Sequence, residues 1–284
     1  MRIRHYNVIK VMNNNVILAK NLYNNKEQVL IGKGLGFGVK IGEELILDKD
    51  KIEKKFVAIN HELDREYMKL VEQLDPKIMG LCEEFIQIAE KQIGTLNPHI
   101  HIALTDHIGF AIERIKSGQD IVNPFIYQIK VLYNKEYDVA LIAKNMIQKQ
   151  INISINESEV GFIALHLHSA LQNKTINETV KYSRVLRDCV SIIENNLDFK
   201  IDESSLTFTR LISHLRGLIE RVRKKQSIEN RLLENIKKEF KDSYKIAIKL
   251  AKVIEETFNV IVTDDEVGYM SIHIDRVRRI KKNK

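Results

Sequence analysis

The feature that most constrains the fold is a repeat in the C-terminal part of the chain. At a constant offset of 107 residues, Leu104–Arg114 aligns with Leu211–Arg221, and Asn152–His166 aligns with Asn259–His273. Leu, His, Ile, Glu and Arg coincide in the first block, and Glu-Val-Gly and His coincide in the second. Because the copies align without a gap, residues 104–277 are predicted to hold two homologous units.

Helical periodicity dominates the chain after about residue 60. Apolar residues recur at spacings of three and four, as in Ile78, Leu81, Cys82 and Phe85, which predicts amphipathic helices. The predicted helices span 62–74, 77–94, 103–117, 122–132, 135–150, 157–171, 180–197, 203–223, 229–239, 242–258 and 264–280. The two cysteines, Cys82 and Cys189, lie outside any CxxC pattern and are predicted to be helix-core residues.

The N-terminal segment has a different pattern, with five of the chain's 12 glycines lying between residues 32 and 42. Runs rich in Val, Ile and Leu surround these glycines and predict a small antiparallel sheet. These runs are 7–11, 16–19, 29–31, 37–39 and 45–47. A sheet this short leaves its edges and one face to cover, which hints at dimerisation. The predicted fold class is therefore α+β multidomain, with a small antiparallel β-sheet domain followed by two homologous all-α helical bundles.

Composition and charge limit the kinds of partner. The chain is 44% hydrophobic and 29% charged, as expected of globular domains. No apolar run approaches the ~20 residues that cross a bilayer, and no secretion signal is evident, so we expect a cytoplasmic protein without membrane insertion. Residues 1–40 carry seven Lys or Arg residues against one acid, Glu27, so this segment is suited to a polyanion.

The repeated histidines are the strongest candidates for chemistry. His107 and His166 are separated by 59 residues, and His214 and His273 are separated by the same distance. A neutral imidazole is nucleophilic and can accept and return a phosphoryl group. The added charge could recruit Arg114 and Arg221, which also repeat. A purely structural histidine pair, hydrogen-bonded between helices, remains an alternative.

Metal and cofactor chemistry have weaker support. Two histidines far apart, without matching cysteines or an HExxH motif, are poor support for a zinc site, so no metal is predicted. The stretch Gly32–Gly38 matches neither the GxxxxGK[ST] phosphate loop nor the GxGxxG fingerprint, so no nucleotide cofactor is predicted. His101 and His168 have no counterpart in the second copy and are interpreted as accessory. We expect a regulator and not an enzyme.

The glycine-rich stretch suits single-stranded or distorted RNA. Phe37 can stack on an unpaired base while Lys33 holds a phosphate. The alternative is a glycine-kinked hairpin with Phe37 in its core. Duplex DNA is less attractive because no helix-turn-helix or basic helix accompanies the sheet.

Taken together, these residues resemble the BglG/SacY/LicT family of bacterial transcriptional antiterminators over essentially the whole chain. Lys10-Val-Met-Asn-Asn-Asn-Val16 and Gly32-Lys-Gly-Leu-Gly-Phe37 are similar to the two signatures of the family's co-antiterminator RNA-binding domain. Leu104-Thr-Asp-His-Ile108 and Gly161-Phe-Ile-Ala-Leu-His166 are similar to those of its first PTS regulation domain. The resemblance implies domains at 1–60, 69–174 and 175–284, with a linker at 61–68.

The resemblance also implies a mechanism. A homodimer would bind an antiterminator hairpin in nascent mRNA and prevent the overlapping terminator from forming. The implied RNA contacts are Lys10, Asn13, Asn14, Asn15, Gly32, Lys33 and Phe37. The implied phosphorylation sites are His107, His166, His214 and His273. A sugar-specific enzyme II of the PTS would inactivate the protein through the first pair, and HPr would favour the active dimer through the second.

The target operon is less well defined by the motifs. The runs His99–His107, Asn123–Phe125 and His166–Ala170 are most similar to the glucose-permease branch. A β-glucoside or sucrose operon is the alternative. A phosphocarrier enzyme and a DNA-binding PTS-regulated activator are the other function classes, and the second lacks the DNA-binding helices it would need.

Overall fold

A computed structural model describes residues 3–57, 62–226 and 228–282 of the chain. The chain divides into two compact units. The first unit comprises Met1–Asn123 and Lys135–Ile176, and the second comprises Pro124–Asn134 and Asn177–Lys284. Among the described residues, no helix combines the length and the apolar character needed to cross a membrane.

The N-terminal part of the first unit is a five-stranded antiparallel sheet with strand order β4-β1-β2-β3-β5. The strands are β1 (Ile3–Val11), β2 (Val16–Asn21), β3 (Lys26–Ile31), β4 (Glu44–Asp48) and β5 (Lys54–Val57). The predicted strand at 37–39 is wrong, because Phe37 and Val39 close turns onto Gly34 and Gly36. Strand β5 was not predicted.

Both faces of this sheet are buried, because successive side chains of a strand point to opposite sides. On one face Ile17 and Ala19 pack with Leu35 from the glycine-rich loop. On the other face Val16 and Leu18 pack against two helices of the same chain. The face that was expected to need a second copy is therefore covered within the chain.

The remainder of the chain is helical, which confirms the α+β multidomain class. The helices are α1 (Glu62–Gln73), α2 (Pro76–Ile93), α3 (Ile100–Lys116), α4 (Ile126–Leu132), α5 (Asn134–Ile151), α6 (Glu157–Leu171), α7 (Ile176–Leu197), α8 (Leu206–Arg223), α9 (Leu233–Glu239), α10 (Lys241–Phe258) and α11 (Asp264–Lys282). Cys82 and Cys189 are fully buried in α2 and α7, as predicted.

Two of the predicted helices begin four residues later than expected, and for the same reason. The helices predicted at 122–132 and 229–239 start at Ile126 and Leu233. In the first, the backbone N–H of Asn123 donates to Ser158 Oγ at 2.9 Å. In the second, Asn230 donates to Asp265 Oδ1 at 3.0 Å. These bonds hold the preceding loops at the starts of α6 and α11.

Candidate functional sites

The first histidine pair lies between α3 and α6. The ring centroids of His107 and His166 are 5.0 Å apart and their planes are inclined by 33°. Both rings are half-buried. Residues 59 positions apart in the sequence thus form one site within the first unit.

A buried carboxylate completes this site. Glu159 lies at the start of α6, where its backbone N–H donates to the capping side chain of Asn156 at 3.0 Å. Its Oε1 accepts from Arg114 Nη2 at 2.9 Å, and its Oε2 lies 3.2 Å from His107 Nε2. Burial raises the pKa of Glu159, but the hydrogen bonds and charges of His107 and Arg114 outweigh burial and hold the pKa below its usual value. The carboxylate is therefore ionised at neutral pH.

The second pair lies between α8 and α11 and is stacked more tightly. The ring centroids of His214 and His273 are 3.5 Å apart, and their planes are inclined by 18°. The repeated carboxylate, Glu266, accepts two hydrogen bonds from the Arg221 guanidinium. Arg221 Nε donates to Oε1 at 2.7 Å, and Nη2 donates to Oε2 at 2.6 Å. Both oxygens of Glu266 are thus occupied by Arg221, whereas Glu159 divides its oxygens between Arg114 and His107.

The surroundings of the two pairs also differ in charge. Asp106 lies beside the first pair. Burial raises the pKa of Asp106, and this effect exceeds the opposing effect of the His107 charge. Arg276 lies beside the second pair. Burial, followed by the charges of Arg276 and Arg221, lowers the pKa of His214. Burial, His214 and Arg276 lower the pKa of His273 to about 4. The second pair is therefore the more cationic environment.

The lowered pKa values of His166, His214 and His273 favour the uncharged form of these three rings. Burial and the neighbouring His107 and His99 lower the pKa of His166 to about 3. A neutral imidazole keeps a free lone pair, which nucleophilic attack on phosphorus requires.

The low pKa values predict a pH dependence of stability. Between the unfolded value of 6.5 and the folded value of about 4, the unfolded chain binds a proton at His273 that the folded chain excludes. The same holds for His166 between 6.5 and about 3. These two rings therefore do not reduce the free energy of unfolding above pH 6.5, and they reduce it progressively as the pH falls below 6.5.

Between pH 7 and pH 5, we expect the Tm of His166→Gln/His273→Gln to fall clearly less than the Tm of the wild type in circular-dichroism melts. Equal losses would contradict the assignment.

The unrepeated histidines have structural partners that the sequence did not indicate. His101 Nδ1 lies 2.7 Å from Glu83 Oε2, and the Tyr67 hydroxyl donates to Glu83 Oε1 at 2.6 Å, all fully buried. His168 Nδ1 lies 2.8 Å from Glu136 Oε1. These pairs connect helices within the first unit.

The implied RNA-binding residues lie on two adjoining loops, the β1–β2 turn and the glycine-rich loop. The two loops are joined by a hydrogen bond from the Gly34 N–H to Asn15 Oδ1 at 2.7 Å and by one from the Gly36 N–H to the Asn14 carbonyl at 2.9 Å. Asn13 Oδ1 accepts from the N–H groups of Asn15 and Val16 and closes the turn.

These residues differ in their exposure. Lys33 is exposed and Phe37 is 75% exposed, so the alternative with Phe37 in the core is wrong. Asn14 is also exposed, and Lys10 is half-buried. Gly32 is buried, and a Cβ on it would lie 2.1 Å from the Lys51 carbonyl oxygen. The side chains free to meet RNA are thus Lys33, Phe37 and Asn14.

Helix α2 contacts the β1–β2 turn. The Asn15 amide donates to Glu84 Oε1, and Glu84 also accepts from Gln150 through its second oxygen at 3.1 Å. Gly80 faces Asn13 so closely that a Cβ would lie 2.5 Å from Asn13 Nδ2. Asn13 and Asn15 therefore connect the sheet to the helical part of the first unit.

No group of three or more His, Cys, Asp or Glu side chains within residues 3–57, 62–226 and 228–282 is arranged to hold a metal ion. The carboxylates beside the histidines are occupied by arginines. The repeat aligns Glu159 with Glu266, but the sequence alone does not place these carboxylates beside the histidines. Their repetition beside Gly161 and Gly268 was the available signal.

Known protein families match both the sheet domain and the helical repeats. The family model described as the CAT RNA-binding domain matches residues 6–65, and the PRD domain model matches residues 83–170 and 187–277. "Protein GlcT" of Staphylococcus haemolyticus is 33% identical over 273 residues, covering 95% of both chains. "Transcription antiterminator LicT" of Bacillus subtilis is 33% identical over 274 residues, covering 95% of this chain and 98% of the relative.

Two further matches carry related names. The "GlcA/glcB genes antiterminator" of Staphylococcus carnosus is 33% identical over 274 residues and covers 95% of both chains. A solved structure described as "Crystal structure of GlcT CAT-PRDI" is 40% identical and covers 60% of this chain and 99% of that chain, with a TM-score of 0.47.

Proposed function

Because the chain belongs to the family of PTS-regulated transcriptional antiterminators that join a CAT RNA-binding domain to PRD domains, we propose that it acts as a homodimer on a hairpin in nascent mRNA. Holding the hairpin prevents the overlapping terminator from forming. The target is the leader of a glucose-permease operon, an assignment supported by relatives named GlcT. The domains are 1–60, 69–174 and 175–284, with a linker at 61–68 that lies largely within α1. The CAT match at 6–65 extends beyond the first of these domains, and the PRD matches at 83–170 and 187–277 lie within the other two.

The observation that carries the proposal is the pairing of the histidines. Each pair brings two imidazole rings into contact beside a buried carboxylate that an arginine holds. Such a site can accept a phosphoryl group of roughly −1.5 to −2 charges and respond by rearranging its ion pair. The four phosphorylation sites are His107, His166, His214 and His273.

The different charges around the pairs support opposite effects of phosphorylation. At the first pair, the phosphoryl group is added beside Glu159 and Asp106, and it competes with Glu159 for Arg114. Repulsion there opens the α3–α6 contact, which suits inhibition by the sugar-specific enzyme II. At the second pair, Arg276 and Arg221 attract the added charge. Phosphorylation there tightens the site, which suits activation by HPr.

The RNA surface comprises Lys33, Phe37 and Asn14, with Lys10 beside them. The glycine-rich loop holds the Phe37 ring in solvent, where it can stack on an unpaired base. Asn13, Asn15 and Gly32 fix the two loops and contribute through the backbone.

A mobility-shift experiment on the full chain tests RNA recognition. We expect binding to a bulged RNA hairpin from the operon leader, with two chains in each complex, and no binding to duplex DNA of the same length at the same salt concentration. Lys33→Ala/Phe37→Ala is expected to weaken RNA binding at least tenfold, since it removes one phosphate contact and one stacking platform. Lys26→Ala, which removes one positive charge at the β2–β3 turn, is the control. Preferential binding to promoter DNA would instead favour the DNA-binding activator.

The first histidine pair is tested by antitermination in cells. His107→Ala is expected to make a terminator-reporter fusion at least fivefold more active when sugar is absent, because enzyme II can no longer add charge there. His107→Asp is expected to lower activity below the wild type, since a carboxylate reproduces part of that charge. Lys116→Gln, which changes an exposed residue at the last position of α3, serves as the control. Wild-type activity in both His107 variants would remove this position from the switch.

A further inference from the structure

The two histidine pairs differ at the position one helical turn beyond the first histidine. In α3 this position is Phe110, whose side chain is 54% exposed. In α8 the repeat places Gly217 there. Residues three apart on a helix are neighbours on one face, so the Phe110 ring lies beside the first histidine of its pair, and no side chain occupies the corresponding position 217 in the second pair.

A cleft of about 270 Å³ lies beside the second pair. Both histidines line it, together with Gly217, Arg221 and Tyr269. A Cβ added at Gly217 would lie 3.3 Å from Arg221 Nη1, so a larger side chain there would displace the guanidinium or fill the space.

The size and charge of the cleft indicate its occupant. Small-molecule sites usually enclose about 300–1,000 Å³, so this cleft suits the end of one side chain better than a free metabolite. Arg221 lines the cleft, and the charge of Arg276 acts on both His214 and His273. A doubly negative phosphoryl group is attracted to such a position.

We infer that this cleft is the docking pocket for the phosphohistidine of a protein donor, and that the side chain at position 217 or 110 determines which histidine pair such a donor can reach. The inference rests on the proposed phosphorylation of these histidines. In the transfer, a lone pair of the acceptor imidazole forms the new N–P bond while the donor's N–P bond breaks and its electron pair returns to the donor ring. One imidazole replaces another, so the step needs no oxidant or reductant.

The test compares a protein donor with a small donor on the full chain. Phosphorylated HPr must enter the cleft, whereas phosphoramidate delivers the same group without a protein surface. We expect Gly217→Phe to slow HPr-dependent phosphorylation of His214 and His273 at least tenfold and to leave phosphoramidate labelling within twofold of the wild type. Thr209→Phe adds the same ring at an exposed position of α8 outside the cleft and is expected to leave both rates unchanged. Mass spectrometry at neutral pH locates the phosphate.

The reciprocal variant does not depend on Gly217→Phe folding well. Phe110→Gly is expected to raise HPr-dependent phosphorylation of His107 and His166 at least fivefold. Wild-type HPr rates in both variants would overturn the inference, as would a Gly217→Phe chain that is slowed equally with both donors. If phosphorylated HPr fails to label the wild-type chain while phosphoramidate succeeds, the proposed role of HPr fails, which is a separate result.

Discussion

Replacing Gly36 with alanine is expected to lower the affinity of the full chain for its RNA hairpin at least tenfold. A Cβ at this position would lie 2.2 Å from the Asn13 carbonyl oxygen and 3.2 Å from Ile17 Cγ2. Neither the backbone carbonyl nor the buried Ile17 can yield easily, so the glycine-rich loop must move away from the β1–β2 turn. Phe37 is the next residue and moves with it. A tenfold loss corresponds to about 1.4 kcal/mol of binding free energy, measured by mobility shift at fixed salt.

Gly38→Ala is the matched control in the same loop. Gly38 has φ of +73°, and a Cβ there meets nothing within 4 Å. The substitution costs about 1–2 kcal/mol of backbone strain but forces no collision with the turn. We expect less than a threefold loss of RNA affinity. Equal losses in the two variants would mean that the contact between the loops does not position the RNA surface.

Removing the guanidinium of Arg221 is expected to destabilise the second unit by about 3 kcal/mol. The Glu266 side chain is 1% exposed and both of its oxygens are bound by Arg221. Arg221→Met therefore leaves a buried carboxylate without its counter-charge. Because Arg221 is 32% exposed, solvent recovers part of the loss, and we place the effect at the lower end of the range for buried pairs. Differential scanning calorimetry resolves the unfolding transitions of the two units and measures the change in the unfolding free energy of the second.

Two further variants make this prediction specific. Arg221→Met/Glu266→Gln removes both charges and is expected to recover most of the lost stability. Arg114→Met is expected to cost less than Arg221→Met, because Glu159 retains its contact with His107 Nε2 at 3.2 Å. A double variant as unstable as Arg221→Met would show that the buried charge is not the cause.

The repeat predicted more of this structure than the composition did. It predicted two sets of helices and identified His107 with His166 and His214 with His273 as pairs that recur at the same spacing. It did so because residues that recur at equal spacing in two copies must satisfy the same geometry twice. It also aligned Glu159 with Glu266, although pattern alone could not show that these carboxylates lie beside the rings.

Features that depend on contacts between distant segments could not be read from the sequence. Strand β5 contains two lysines and forms by pairing with β3, so its local pattern is weak. Val39 looked like part of a strand, but Gly34 and Gly38, with φ of +71° and +73°, fold that stretch into turns. The sheet face carrying Val16 and Leu18 was expected to need a second copy, and tertiary packing instead covers it with α1 and α2.

The most direct test of the account is transcription in vitro through the leader terminator with the purified full chain. Readthrough is expected to require the RNA hairpin, to rise at least threefold when HPr phosphorylates His214 and His273, and to fall to the protein-free level when enzyme II phosphorylates His107 and His166. Readthrough that is the same for the unphosphorylated chain and for both phosphorylated forms would contradict the claim that the two histidine pairs control RNA antitermination.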